Sequence, residues 1–335
     1  MSIRSLSAVM LAAVLATGAA LQAQQAAPSA KAGGKWSAPR TPWGDPDIQG
    51  TFTNKDENGT PFERPADLAG KSLSDFGDKE MAALRKSRQA NAQARAGSIG
   101  GTEEEDTGAG PSHWYEHLNA SNAQPWFVFE PADGKIPATT KEARDRAAAR
   151  QAARRGRGPA DSWTDRSLYD RCITRGIPGS MMPAIYGNAY DITQGPGFVA
   201  IRYEMIHEAR IIPLDSRAHL PTTMRNYTGD ARGHFEGDTL VVETTNFNDG
   251  GAYRGASRNM KLVERFTPVN ADTLKWEARF EDPTTWESAW AFTMPLKRDA
   301  ESQIFEYGCH EGNRGLHNIL SAARAEEDAA AKAKK

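Results

Sequence analysis

From Asp161 onward the chain alternates apolar and polar residues in short runs bounded by turn-forming residues. AYDITQ, GFVAIRYEM, EARIIPLD, DTLVVETTNF, KLVERFTPV, DTLKWEARF, WAFTMPL and SQIFEYGC are such runs, divided by GPG, GDARGHFEGD, NAD and EDP. A period of two with turns at this spacing predicts an antiparallel meander. In DTLKWEARF, Trp276, Ala278 and Phe280 alternate with Lys275, Glu277 and Arg279, so one face is dry. Eight strands can close on themselves. The predicted fold is mainly β, a lipocalin-like closed or nearly closed barrel over about 161–312 with room for one ligand.

Residues 43–160 lack that period. WGDPDIQGTFTN and TPFERPADLAGKSLSDF mix turn signals with isolated aromatics, as expected of a segment that wraps another core. A short helix is predicted from Ser74 to about Ala90, with Ser74 as cap and Met81, Ala82 and Leu84 on its apolar side. Residues 91–111 read as a flexible loop, because glycine and an acidic cluster leave little to bury. QPWFVFEPADGKIP reads as a short strand ending in a turn, and 140–155 as a helix capped by threonine. Between Lys141 and Arg157 that stretch carries seven basic and two acidic residues. It reads as a solvated face rather than an anion site, and it lacks the apolar stripe of a membrane-surface helix. A C-terminal helix should close the 161–326 unit, leaving 327–335 as a disordered tail.

The first 23 residues have an early cation (Arg4), an apolar run from Leu6 to Leu21 and a small residue, Ala23, at the expected cut. This is the pattern of a signal peptide. The run is short for a bilayer, which needs about 20 apolar residues, so no membrane span is expected. Residues 24–42, rich in Ala, Gly, Ser and Pro, read as a mobile leader. The mature chain is therefore expected to be soluble and exported, periplasmic or extracellular. Loss of Arg4 leaves 40 basic against 43 acidic residues. That balance carries no footprint for nucleic acid.

Only two cysteines are present, Cys172 and Cys309. In an exported chain an even pair usually becomes a disulfide, and here it would close a loop of about 137 residues worth up to ~4–5 kcal/mol by chain entropy. Two buried thiols are the alternative.

The blocks WGDPDIQG, TPFERPADLAGK, EPADGKIP, RGPADSWTDRSLYDRCITRGIPGSM, IHEARIIPLD, GDARGHFEGDTLVVETTNF, LVERF, DPTTW and FEYGCHEGN resemble a widespread family of uncharacterised exported bacterial proteins. The resemblance runs from about Trp43 to Glu326. It implies one folding unit and export, and it supplies no reaction.

Candidate chemistry centres on three stretches. IHEARII is not a zincin motif, because position 211 is isoleucine rather than histidine. On an unbroken strand His207 and Glu208 would point to opposite faces, and Glu208 and Arg210 would form an ordinary ion pair. They meet only if the chain bends near Met205–His207. In YTGDARGHFEGD, Asp230 and Arg232 could bind a ligand at the barrel mouth or simply pair with each other. In FEYGCHEGN, His310 and Glu311 follow Cys309, where a covalent anchor would hold an acid/base pair rigidly; alternatively Glu311 caps the next helix. His207, His219, His234 and His310 show no ligand spacing within one element, and His113/His117, the one H-x3-H, lies in the irregular part, so no metal or other cofactor is expected. No G-x-S-x-G elbow occurs; IPGSM comes nearest.

The leading expectation is an acid/base hydrolase or lyase acting on a small molecule or glycan fragment. His207 or His310 would be the base, Glu208 or Glu311 the acid or orienting carboxylate, and Arg210 or Arg232 the anion clamp. One alternative is a carrier whose cavity is lined by Trp276, Phe280, Trp290 and Phe292. Another is a structural envelope protein.

Overall fold

The computed structural model describes residues 36–99, 116, 120–184, 186–250 and 253–334, leaving aside the side chains of 95–99 and His207. The expected signal peptide, most of the leader, most of the 91–111 loop and His113/His117 lie outside the described residues.

Ten strands form one antiparallel sheet: β1 (Gly50–Thr53), β2 (Val128–Glu130), β3 (Ala189–Gly195), β4 (Phe198–Tyr203), β5 (Ala209–Pro213), β6 (Asp230–Glu236), β7 (Thr239–Thr245), β8 (Lys261–Asn270), β9 (Thr273–Glu281) and β10 (Trp290–Arg298). Their order is β5-β4-β3-β1-β10-β9-β8-β7-β6, with β2 added against β10. The sheet curls until its two edge strands, β5 and β6, face each other, which makes a nearly closed barrel. At that seam Gly233 of β6 is needed for its small size. A Cβ there would lie 2.7 Å from Ile212 Cγ2 and 2.9 Å from Leu214 Cδ2.

Three features depart from the expected meander. GDARGHFEGD, read as a turn, contains β6, which pairs with β7 from Asp230↔Thr245 to Glu236↔Thr239. SQIFEYGC forms no strand, because the positions beside the end of β10 are already filled: Phe52 of β1 pairs with Arg298, and Thr273 of β9 pairs with Lys297. The third departure is β1 itself. The N-terminal segment does more than wrap, since β1 is a stave between β3 and β10.

Inward positions follow the alternation. Leu274, Trp276, Ala278 and Phe280 of β9 and Trp290, Phe292, Met294 and Leu296 of β10 are buried. Their rings pack on one another, with Phe280 stacked on Trp290 at 4.1 Å and Trp276 edge-on to Phe292 at 5.0 Å. This corrects the expectation that Trp276 and Trp290 line a cavity: they fill the core, where aromatic contacts of this kind each add about 0.5–1.5 kcal/mol beyond their burial.

Outside the barrel lie α1 (Asp78–Ile99), α2 (Lys141–Ala153) and α3 (Gly315–Ala333). Thr140 caps α2, its Oγ1 accepting from Ala143 N at 3.1 Å. α1 runs past Ala90 into the stretch read as a loop, and α3 runs through most of the stretch read as a tail. Both extensions are rich in alanine and other good helix formers. No described helix is long and apolar enough to cross a membrane.

Candidate functional site

β4 and β5 are joined by a tight turn at Met205–His207, in which Ile206 has φ 62°. The left-handed region is rare for a β-branched residue. The bend resets the alternation, so that Tyr203 and Arg210, on opposite faces of an unbroken strand, both enter the barrel. Register confirms it, since Arg210 sits opposite the buried Ile201. His207 lies in this turn, but its side chain is outside the description.

Arg210 crosses the interior to β8. Its Nη1 donates to Glu264 Oε2 at 2.5 Å, with side-chain exposures of 4% and 0%, and Trp276 Nε1 donates to Glu264 Oε1 at 3.2 Å. Burial pulls the guanidinium toward losing its proton, but the Glu264 charge and the nearby Tyr203 and Glu208 outweigh it and raise its pKa. Burial likewise holds the Tyr203 phenol above its usual range. Arg210 Nε and Nη2, Tyr203 Oη and Thr244 Oγ1 are buried without protein partners.

Glu208, two residues before Arg210, is held by the segment that precedes β3. Thr174 Oγ1 lies 2.9 Å from each carboxylate oxygen and Ser180 Oγ donates at 3.3 Å. Burial raises the Glu208 pKa, and neither those hydroxyls nor Arg210 fully offset it. Thr174 Oγ1 also accepts from Gly176 N at 2.8 Å, which leaves its proton for Glu208.

On the far side of Thr174 opens a cleft of about 850 Å³. Leu168, Tyr169, Arg175, Met182, Tyr186 and Met205 line it, with Tyr253 and Arg254 contributed by the loop after β7. Tyr253 stacks on Phe280 at 5.6 Å, so the cleft floor is seated on the aromatic core. Tyr186 and Tyr307 bring their hydroxyls to 3.5 Å. Burial and the Tyr186 phenol raise Tyr169 against the pull of its hydrogen bond with Tyr307, and burial with both neighbouring phenols raises Tyr307. A disulfide joins Cys172 to Cys309, with Cα atoms 5.9 Å apart, and so fastens the segment bearing Tyr169 to the one bearing Tyr307. Among the described residues, positive φ occurs at Arg254 in the cleft lining and at Cys172 and Ile206, close in sequence to the lining residues Thr174 and Met205. Strained backbone tends to gather where function constrains it.

The other expected site residues lie elsewhere. Asp230 and Arg232 pair with each other at 2.6 Å on the outer face of β6. Asp230 also accepts from Leu220 N at 2.9 Å and contacts His219 Nδ1 at 2.9 Å, while Arg232 Nη2 bonds Ala218 O at 3.0 Å. Together they tie the 214–229 loop to the sheet. Those donors outweigh the effect of burial and lower the Asp230 pKa. Arg210, Asp230 and Arg232 do share a smaller hollow of about 330 Å³ beside the seam. His310 and Glu311 are exposed after the disulfide, and the structure does not bring them to the cleft lining. Among the described residues no group of three or more His, Cys, Asp or Glu is placed to hold a metal.

Sequence reasoning missed Tyr169, Thr174, Arg175, Tyr186, Tyr253, Arg254 and Glu264. For Glu264 a signal existed: in LVERF it occupies the register of Leu262 and Phe266, a charge on an apolar face. For the rest no periodicity marks the segments that carry them.

Comparison of the chain with family models, with curated proteins and with solved structures finds no match.

Proposed function

We propose that the protein is an exported enzyme performing acid/base chemistry, a hydrolysis or an elimination, on a small molecule held in the cleft at the barrel mouth. The observation that carries this reading is Glu208: a carboxyl of raised proton affinity, held by Thr174 and Ser180 directly behind the cleft wall. A carboxyl whose proton affinity is raised by burial is better suited than a free one to giving and taking a proton. Glu208 holds the proton, the Thr174 hydroxyl, which donates to Glu208 and lines the cleft, passes it to and from the bound molecule, and Arg210 tempers the Glu208 charge from inside the barrel. Export rests on the apolar N-terminal run ending near Ala23 and on the resemblance to exported proteins; the disulfide is compatible with it.

The test is conversion of an envelope small-molecule extract, followed by mass spectrometry, with wild type and Glu208→Gln. The glutamine variant is expected to keep its melting temperature and lose conversion. Equal conversion by both proteins removes Glu208 from the chemistry. Ligand retention by wild type without any conversion favours a carrier that uses the same cleft.

A further inference from the structure

The cleft has an electrostatic imbalance that the acid/base reading does not use. Among the described residues its lining contains two guanidinium groups, Arg175 and Arg254, and no Asp, Glu or Lys. Elsewhere some arginines, Arg64, Arg225 and Arg298 among them, donate to backbone carbonyls, and others have carboxylate partners: Arg157 with Asp165, Arg202 with Asp191, Arg258 with Asp249 and Arg279 with Glu130 are examples. Among the described residues neither Arg175 nor Arg254 has one. Nη1 of Arg175 is buried and makes no hydrogen bond. A guanidinium carries five donors that cannot be discharged by losing a proton, so a buried, unused donor at a cleft wall is costly until an anion reaches it.

The remaining surface defines the body of that anion. The Arg175 guanidinium lies 5.6 Å from the Tyr169 ring centroid, and that of Arg254 lies 3.9 Å over Phe62 and 5.5 Å from Tyr253. Both charges are thus held against aromatic rings. Tyr169, Tyr186 and Tyr253 line the same cleft, and Leu168, Met182 and Met205 add soft apolar contact. Since Tyr253 is stacked on Phe280, its ring is a rigid platform. Rigid aromatic walls favour a flat ligand, because ring stacking adds to burial at little conformational cost. A planar carboxylate matches a guanidinium fork with two parallel hydrogen bonds.

We infer that the cleft takes an aryl carboxylate: a planar aromatic body between the tyrosines, with its carboxylate clamped by Arg175 and Arg254. This rests on the use of the barrel-mouth cleft proposed above, and it adds the class of ligand.

The experiment is isothermal titration of the mature, disulfide-bonded protein with cinnamate, cinnamamide, cyclohexanepropionate and styrylphosphonate. Cinnamate should bind, and more weakly as salt is added. Arg175→Ala and Arg254→Ala should each weaken it by about 10- to 100-fold, as loss of a charge-assisted hydrogen bond does. Arg175→Lys should recover part of the loss, and circular dichroism should show each variant folded. Cinnamamide, which lacks the charge, and cyclohexanepropionate, which lacks the ring, should both bind about tenfold more weakly or worse. Equal binding of acid and amide, absence of cinnamate binding, or indifference to both alanine variants overturns the inference. Tighter, arginine-dependent binding of styrylphosphonate overturns the carboxylate assignment in favour of a phosphoryl group. Glu208→Gln is expected to bind cinnamate as wild type does. If it does so, and conversion is also unchanged, the acid/base reading falls while the ligand class stands.

Discussion

Removing Glu264 should be among the most damaging single changes in the barrel. Its carboxylate is fully buried, accepts from Arg210 Nη1 at 2.5 Å and from Trp276 Nε1 at 3.2 Å, and is the one carboxylate bonded to Arg210 among the described residues. Glu264→Leu leaves a guanidinium in the core that solvent cannot reach and that cannot give up its proton. Stranding one member of a buried pair costs about 3–5 kcal/mol, and the lost acceptor for Trp276 adds about 1 kcal/mol. Against a total of about 5–15 kcal/mol for an ordinary domain, such a loss brings the chain close to unfolding.

Arg210→Met is expected to cost less, because a stranded carboxylate can take up a proton and a stranded guanidinium cannot. The double variant Arg210→Met/Glu264→Leu removes both charges together with their desolvation, so it should lie within about 1 kcal/mol of wild type or exceed it. The assay is urea unfolding followed by tryptophan fluorescence, with the four proteins closing a double-mutant cycle. A double variant as unstable as Glu264→Leu, or a cost for Glu264→Leu below about 1 kcal/mol, would refute the claim that the pair is desolvated in the barrel interior.

Two further outcomes follow from other parts of the fold. Cys172→Ser/Cys309→Ser removes a link of sequence separation 137, worth up to about 5 kcal/mol in the chain-entropy model. Because residues 299–312 form no regular element, they should detach first, so the measured loss should be smaller and hydrogen exchange should rise in 299–334 before the barrel; unchanged exchange there would contradict this. Burial raises the Glu57 carboxyl well above its ordinary range, against the pull of Asn122 and Arg85. Its folded pKa is the higher one, so its contribution is complete below the unfolded value of about 4.3 and is lost as pH rises through the folded one. Glu57→Gln should therefore flatten the fall in melting temperature as pH rises from about 4.3 through the folded value, and parallel pH profiles for the two proteins would argue against it.

How much of this was readable depends on whether a residue's environment is set locally. Alternation located β3, β4, β5, β7, β8, β9 and β10, because a strand with one dry face must show it at every second residue. It failed at β6, where Gly233 breaks the apolar pattern for a reason visible only after closure: the opposing strand, with Ile212 and Leu214, passes too close for a side chain. It also failed in SQIFEYGC, whose pattern is strand-like but which finds no free neighbour in the sheet.

The candidate site divides along the same line. Arg210 was noticed for its place in a His-Glu-Ala-Arg run, and Glu264 could have been noticed as the complementary charge on an inward face. Neither residue alone reveals the pairing, since 54 positions separate them. The bend that turns Arg210 inward depends on a left-handed isoleucine, which no propensity would place there. The cleft was harder still. Tyr169 and Arg175 come from a coil before the first long strand, Arg254 from the loop after β7, and Tyr307 from the coil after β10. Each is unremarkable in its own sequence, and their proximity exists only because the barrel closes and the disulfide draws one coil to the other. Cysteine arithmetic anticipated that link and offered His310 and Glu311, which follow the bond, either as an anchored acid/base pair or as a helix cap, whereas Tyr307, two residues before it, is the residue that reaches Tyr186. A crosslink positions the chain on both sides of itself, and which side faces a cleft is decided by the body it is fastened to.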